Sequence, residues 1–355
     1  MTHAVIMAGG IGARFWPRSR KAQPKQFLNV FGDGTLIQNT LARLQGIVPP
    51  ENAYVVTNAR YAEITSDQLP VLPVENILVE PFSRNTAPCI YFAALKLAAT
   101  DPDATMVVLP ADHVISNVRQ FQDVLRVAID AAQENGALVT VGVEPTHPAT
   151  GYGYVQFEAS EGDELRPSRV KTFAEKPDLA TAERFLDSGD FLWNSGMFVW
   201  RAQTIIDTIE TLMPDLAEAF VPFEQAVNTS SEKEALRTSF SACKSISIDY
   251  GVMERAEKVY VVPGNFGWSD VGDWRAVYDL NAKDEHGHAI LGKAVTYNSS
   301  RCLVSSEDRL VVLVGMHDTV VIDTEDAVLV CNRENSQQVK SVVDYLHANQ
   351  LEDYV

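Results

Sequence analysis

Short runs of apolar residues, each followed by a polar or glycine-bearing turn, recur along the first 140 residues of this chain. Ala4–Ala8, Ala53–Thr57, Ile77–Val79, Thr105–Leu109 and Ala137–Gly142 lack polar alternation, the pattern of strands buried on both faces. Between them the period lengthens to that of a helix. From Thr35 onward Ile37, Leu41, Leu44 and Val48 share one face, and further helices are predicted over Ala59–Leu69, Thr86–Ala99 and Val118–Asn135. This alternation predicts an α/β fold, a mostly parallel sheet with helices on both faces, whose site opens at the carboxyl ends of the strands.

The texture changes twice. From Gly151 to Asp284 strands near Tyr154–Phe157 and Val170–Phe173 mix with helices near Leu179–Ser188 and Ala202–Val227, an elaboration of the same domain. Beyond Gly287, Ala289–Thr296, Cys302–Ser305, Leu310–Val314, Val320–Ile322 and Ala327–Cys331 read as short strands between polar turns. A terminal helix follows, with Ser336 as its expected cap and Val339, Val342, Val343 and Leu346 on its apolar face. Two domains are therefore expected, 1–285 and a small β-rich 286–355.

Charge narrows the partners. The 355 residues carry a formal net charge of −18, which argues against nucleic acid and anionic membranes. No apolar run is long enough to span a bilayer, and Ala4–Ala13 lacks the basic leader of a targeting segment, so a cytoplasmic location is expected. The four cysteines are far apart with no CxxC pair, which predicts buried thiols rather than a disulfide or zinc framework. The charge is unevenly placed. Met1 to Gly32 holds no acidic residue but five cations, Arg14, Arg18, Arg20, Lys21 and Lys25, while the remainder carries 24 basic and 47 acidic side chains, a balance of −23. A basic stretch directly after a glycine-rich turn suits phosphate binding; a solvated basic loop is the alternative.

That turn reads Gly9-Gly10-Ile11-Gly12-Ala13-Arg14-Phe15-Trp16-Pro17 and runs on to Pro24-Lys25-Gln26-Phe27. Its glycines let backbone N–H groups approach phosphate oxygens. Phe15 stands where a dinucleotide fingerprint needs its third glycine, and no Walker sequence occurs. Asp112 follows the apolar strand Thr105–Leu109, and Asp270 lies in a Gly/Ser turn 158 residues later; either alone would read as a turn or capping residue. Mg²⁺ favours a few such carboxylates together with phosphates and water.

The glycine-rich string, with Trp-Pro-x-Ser-Arg at Trp16–Arg20 and Pro-Lys-Gln-Phe at Pro24–Phe27, resembles the signature of sugar-nucleotide pyrophosphorylases, the mannose-1-phosphate guanylyltransferase branch in particular. Further motifs fall in the family's order: Glu80-Pro81-x-x-Arg84-Asn85-Thr86, Pro110-Ala111-Asp112-His113, Thr150-Gly151-Tyr152-Gly153-Tyr154, Phe173-x-Glu175-Lys176-Pro177, Trp193-Asn194-Ser195-Gly196, and Gly267-Trp268-Ser269-Asp270-Val271-Gly272. The resemblance implies a Rossmann-like, GT-A-like nucleotidyltransferase domain, a C-terminal segment like a left-handed β-helix, and a homodimer.

It also implies GTP and mannose 1-phosphate as substrates, GDP-mannose and pyrophosphate as products, and Mg²⁺ as cofactor. Arg14 and Lys25 would meet the triphosphate beside Ala8, Gly9, Gly10 and Gly12, with Asp112 and Asp270 on the metal. Gly151, Glu175, Lys176 and Asn194 would meet the sugar 1-phosphate. Glu80 or Asn85 would read guanine; for Asn85 a helix-capping role is the alternative. Trp193 and Phe198 read as core packing, and His113 as a structural hydrogen-bonding group. Rival readings are another sugar 1-phosphate or nucleotide, a sensor without turnover, or a bifunctional enzyme that also isomerises mannose phosphates.

Overall fold

The computed structural model describes residues 1–10, 12–158 and 165–355. It forms two compact units, neither of them continuous in sequence. The first comprises Met1–Gly9, Thr40–Ala111 and Ile115–Trp268; the second comprises Gly10–Asn39, Asp112–Val114 and Ser269–Val355.

The strands through the end of the first unit are β1 (Thr2–Met7), β2 (Ala53–Asn58), β3 (Ile77–Glu80), β4 (Thr105–Pro110), the two-residue β5 (Val114–Ile115), β6 (Leu138–Val143), β7 (Gly153–Phe157), β8 (Ser168–Glu175), β9 (Phe191–Arg201), β10 (Val259–Gly264) and the two-residue β11 (Trp268–Ser269). Nine of them make one sheet in the order β3-β2-β1-β4-β9-β6-β10-β8-β7. β3, β2, β1 and β4 are parallel, as are β6 and β10. The sheet is nevertheless mixed, because β9 runs antiparallel between β4 and β6, and β8 is antiparallel to both β10 and β7. β9 was not among the expected strands, because Asn194-Ser195-Gly196 interrupts its apolar run, and strand direction leaves no mark in a pattern buried on both faces.

Successive strand side chains face opposite ways, and here both faces are buried. Val5, Val56, Met106 and Val108 join one core cluster with Phe92, Phe220, Phe223 and Phe240, while the adjacent Ala4, Ile6, Val55 and Val107 are equally buried outside it. The helices are α1 (Leu36–Ala42), α2 (Ala62–Gln68), α3 (Thr86–Ala98), α4 (Val118–Asn135), α5 (Leu179–Ser188), α6 (Ala202–Leu212), α7 (Pro214–Ala226) and α8 (Glu232–Ala242). The helical stretches expected around Ala202–Val227 are α6 and α7, parted where Pro214 cannot continue α6 and instead opens α7. The helix expected to carry Leu44 and Val48 stops at Ala42, and those two residues are buried in the turns that follow.

In the second unit β12 (Ala289–Tyr297), β13 (Leu303–Val314) and β14 (Thr319–Asp323) are parallel neighbours, with β15 (Val328–Asn332) antiparallel at the end. Parallel neighbours normally require a long crossover, whereas residues 298–302 and 315–318 alone connect these, which makes the strands turns of a coil. The two expected runs Cys302–Ser305 and Leu310–Val314 are parts of the single strand β13. α9 (Trp274–Leu280) is capped by Asp273, whose carboxylate accepts from Ala276 N at 3.1 Å. Ser336 does not cap α10 (Val339–Ala348). It is buried inside the 3₁₀ turn Arg333–Gln338, and that turn is capped by Asn332.

The unit's core joins Phe15, Trp16 and Leu28 to Trp274, Tyr278, Leu303, Ile322 and Val339. Much of the basic stretch is tied to it by ion pairs: Arg18 with Glu307 at 3.1 Å, Arg20 with Asp326 at 2.8 Å and Lys21 with Glu352 at 2.6 Å. Cys89, Cys243 and Cys302 are buried free thiols, and Cys331 is a half-buried one. No helix among the described residues is long and apolar enough to cross a membrane.

Candidate active site

The candidate residues fall into three groups, one in the second unit and two in the first. In the second unit the chain leaves Gly12 with φ of 72°, turns through Ala13–Phe15 and returns at the 3₁₀ turn Lys25–Phe27 behind Pro24. The bare α-carbon of Gly12 permits this return, since a Cβ there would lie 2.4 Å from the Cβ of Lys25. Lys25 is 4% exposed; its Nζ donates to Asp112 Oδ2 at 2.8 Å and to the Asp270 carbonyl at 2.6 Å, 5.3 Å from the centre of the Phe15 ring. One ammonium thus gathers the two aspartates on which sequence reasoning placed the metal. Burial alone would raise the Asp112 carboxyl, but Lys25 and His113 outweigh it and hold the group below the usual carboxylate range.

Arg14 is exposed and makes no ion pair among the described residues, in contrast to Arg18, Arg20 and Lys21. Of the loop glycines, Gly9 and Gly10 are exposed, and Ile11 lies outside the described residues. Among the described residues no group of three or more His, Cys, Asp or Glu side chains is arranged to hold a metal. A pair of aspartates is a hard, oxygen-only donor set, which fits an ion that takes its other ligands from phosphates and water.

In the first unit Ala8 directly follows β1 with both backbone groups committed, its N–H to Val56 O at 2.8 Å and its carbonyl to Thr57 Oγ1 at 3.0 Å. Glu80 closes β3 and is 5% exposed. Its Oε1 has no hydrogen-bond partner among the described residues, and its Oε2 lies 3.8 Å from where a Cβ on Gly9 would sit. Burial pushes this carboxyl up to about 7. Asn85 caps α3, its side chain accepting from Thr86 N at 2.8 Å, so the capping alternative is the one observed.

The remaining set converges at the ends of β7, β8 and β9. Gly153 pairs with Glu175, and a Cβ on Gly153 would lie 2.5 Å from Glu175 Oε2 and 3.3 Å from Asn194 Cβ; glycine makes room for both side chains. The Lys176 ammonium is bonded to Glu175. Burial would lower its pKa, but Glu175 and Asp249 raise it further than burial lowers it. Asn194 donates to Asp249, a residue that sequence reasoning missed. Burial and the nearby Glu175 push the Asp249 carboxyl up to about 6. Gly151 is exposed, with no atom near the position its Cβ would occupy. Trp193 and Phe198 are buried, Trp193 in edge contact with Tyr152 and His147.

Residues 3–287 match the nucleotidyl transferase family, and residues 292–346 match the MannoseP isomerase/GMP-like β-helix domain. The chain belongs to the nucleotidyl transferase family. Over 99% of its length it is 42% identical to a Klebsiella pneumoniae protein named mannose-1-phosphate guanylyltransferase, of which it covers 75%. A solved structure from Thermus thermophilus, described as a mannose-1-phosphate geranyltransferase, superposes with a TM-score of 0.88 at 34% identity, covering 98% of this chain and 99% of that one. One from Helicobacter pylori, described as a mannose-6-phosphate isomerase, gives 0.60 at 27% identity over 76% of this chain and all of that one.

Proposed function

We propose that this chain is a mannose-1-phosphate guanylyltransferase, which joins GTP to α-D-mannose 1-phosphate and releases pyrophosphate and GDP-mannose. The observation that carries the reading is the match, over nearly the whole chain, to a protein of that name. In the reaction a phosphate oxygen of the sugar phosphate attacks the α-phosphorus of GTP. A bond forms between them, the bond from the α-phosphorus to the bridging oxygen breaks, and the electron pair leaves with pyrophosphate. The attacking oxygen is anionic at neutral pH, so no general base is needed. What remains for the protein is to align two polyanions and offset their repulsion.

Arg14 and Lys25 take the triphosphate, with the N–H groups of Gly10 and Gly12 directed to its oxygens. Asp112 and Asp270 would hold Mg²⁺, which when bound would neutralise phosphate charge. The Lys25 ammonium keeps Asp112 ionised until then. Glu80 reads guanine, whose N1–H and amino group are donors suited to a buried carboxylate with an unpartnered oxygen. Glu175 and Asn194 take the sugar hydroxyls and Lys176 the sugar phosphate. We place the enzyme in the cytoplasm as a homodimer.

A panel of sugar 1-phosphates against the four nucleoside triphosphates, read as pyrophosphate release, tests the assignment. Mannose 1-phosphate with GTP should exceed every other pair by at least tenfold in kcat/KM. A higher value for another sugar or base would replace the reading.

A further inference from the structure

Asn194 is held by three hydrogen bonds that leave no freedom in which way its amide faces. Its Oδ1 accepts from Thr140 Oγ1 at 2.9 Å and from Gly196 N at 3.2 Å, and its Nδ2 donates to Asp249 Oδ1 at 2.9 Å. Turning the amide over would set Nδ2 against the Gly196 N–H, donor facing donor, and would bring Oδ1 to the Asp249 carboxylate, acceptor facing acceptor. Asp249 opens the π-helical turn Asp249–Met253, a rare conformation that recurs at functional sites. The same locus holds Glu175, since the Gly153 α-carbon faces both Glu175 and Asn194.

We propose that Asp249 is a positioning residue for the sugar 1-phosphate, fixing the Asn194 amide so that its remaining N–H meets a sugar hydroxyl. This rests on the reading of Glu175, Lys176 and Asn194 as the sugar 1-phosphate site. The charged groups around Asp249 are Glu175, which opposes its ionisation, and Lys176, which favours it. The position therefore accepts an uncharged hydrogen-bond acceptor, and asparagine there keeps the bond from Asn194 Nδ2 without the charge.

The test is steady-state kinetics of Asp249→Ala, Asp249→Asn and Asn194→Ala with each substrate varied in turn. Asp249→Ala should raise KM for mannose 1-phosphate at least tenfold while KM for GTP stays within twofold, and Asp249→Asn should recover to within about threefold of the parent. A normal sugar KM in Asp249→Ala, with Asn194→Ala impaired, overturns the role of Asp249 alone. A normal sugar KM in Asn194→Ala overturns the reading of the site and the proposal with it. If Asp249→Ala does not fold, Thr140→Val removes the other side-chain anchor of the amide at similar volume, leaving only the Gly196 N–H on its oxygen. It should show the same selective rise in sugar KM, and an unchanged value there overturns the proposal.

Discussion

Gly12 is where backbone conformation and site geometry are most tightly joined, and Gly12→Ala perturbs both. Its φ of 72° costs an L-residue about 1–2 kcal/mol. The added Cβ would lie 2.4 Å from Lys25 Cβ, whereas ordinary contact begins at 3.4 Å, so the loop or Lys25 must move by about 1 Å. The far end of Lys25 cannot absorb this by rotating, because the atom struck is its Cβ and its Nζ is held at Asp112 and Asp270. A misplacement of that size costs about 100-fold in rate. The stability loss is small: at about 2.1 cal/mol/K of unfolding entropy per residue, 355 residues convert it to about 1–3 °C in Tm.

The assay is pyrophosphate release at saturating substrates, paired with a thermal melt. Gly46→Ala is the control, since Gly46 has φ of 82° with open space where its Cβ would go. It should lose a similar amount in Tm and keep its turnover. Gly12→Ala turning over within threefold of the parent would refute the argument, and so would an equal loss in Gly46→Ala.

Other outcomes follow from the same geometry. Lys25→Ala should lower turnover at least 100-fold. Breaking a buried pair costs about 3–5 kcal/mol, roughly halved here because the Asp112 side chain is 37% exposed, so Tm should fall by about 3 °C. Asp270→Asn should reduce turnover by orders of magnitude with Tm within 2 °C, because Lys25 bonds its backbone carbonyl, which the substitution leaves in place. Glu80 has a folded pKa of about 7, above its unfolded value, so its burial costs nothing in acid and destabilises progressively as pH rises from 4.5 through 7. Glu80→Gln should therefore melt above the parent at pH 8, by up to about 4 °C for a cost of about 3 kcal/mol, and the gap should shrink toward pH 5. The same variant should also lose its preference for GTP over ATP and UTP.

What was legible in the sequence was local. The limits of α4 and α5 were readable because a period of 3.6, an Asn or Asp cap and a following glycine all agree there. Asp112 was located by the apolar strand before it and Lys25 by the Pro-Lys-Gln-Phe string, but their ion pair was not foreseen, because one was placed on a metal and the other on the triphosphate. Strand direction was not legible, and β9 itself lies where no strand was expected. Nor were the partners of the basic stretch, because Glu307, Asp326 and Glu352 lie about 300 residues from Arg18, Arg20 and Lys21 and carry no signal tying them together. Asp249 escaped notice because a π-helical turn has no hydrophobic period and the residue lies in none of the motifs that singled out the other candidates. Ser336 misled because serine before an apolar face is a capping signature, while the preceding 3₁₀ turn took the cap one turn earlier, at Asn332.

Transfer of the guanylyl group to a sugar phosphate is observed directly by phosphorus NMR of the purified chain with GTP, Mg²⁺ and mannose 1-phosphate. The resonances of GTP and mannose 1-phosphate should decay together while those of GDP-mannose and pyrophosphate grow one for one. Release of GDP and inorganic phosphate, or no change in either substrate, would contradict it.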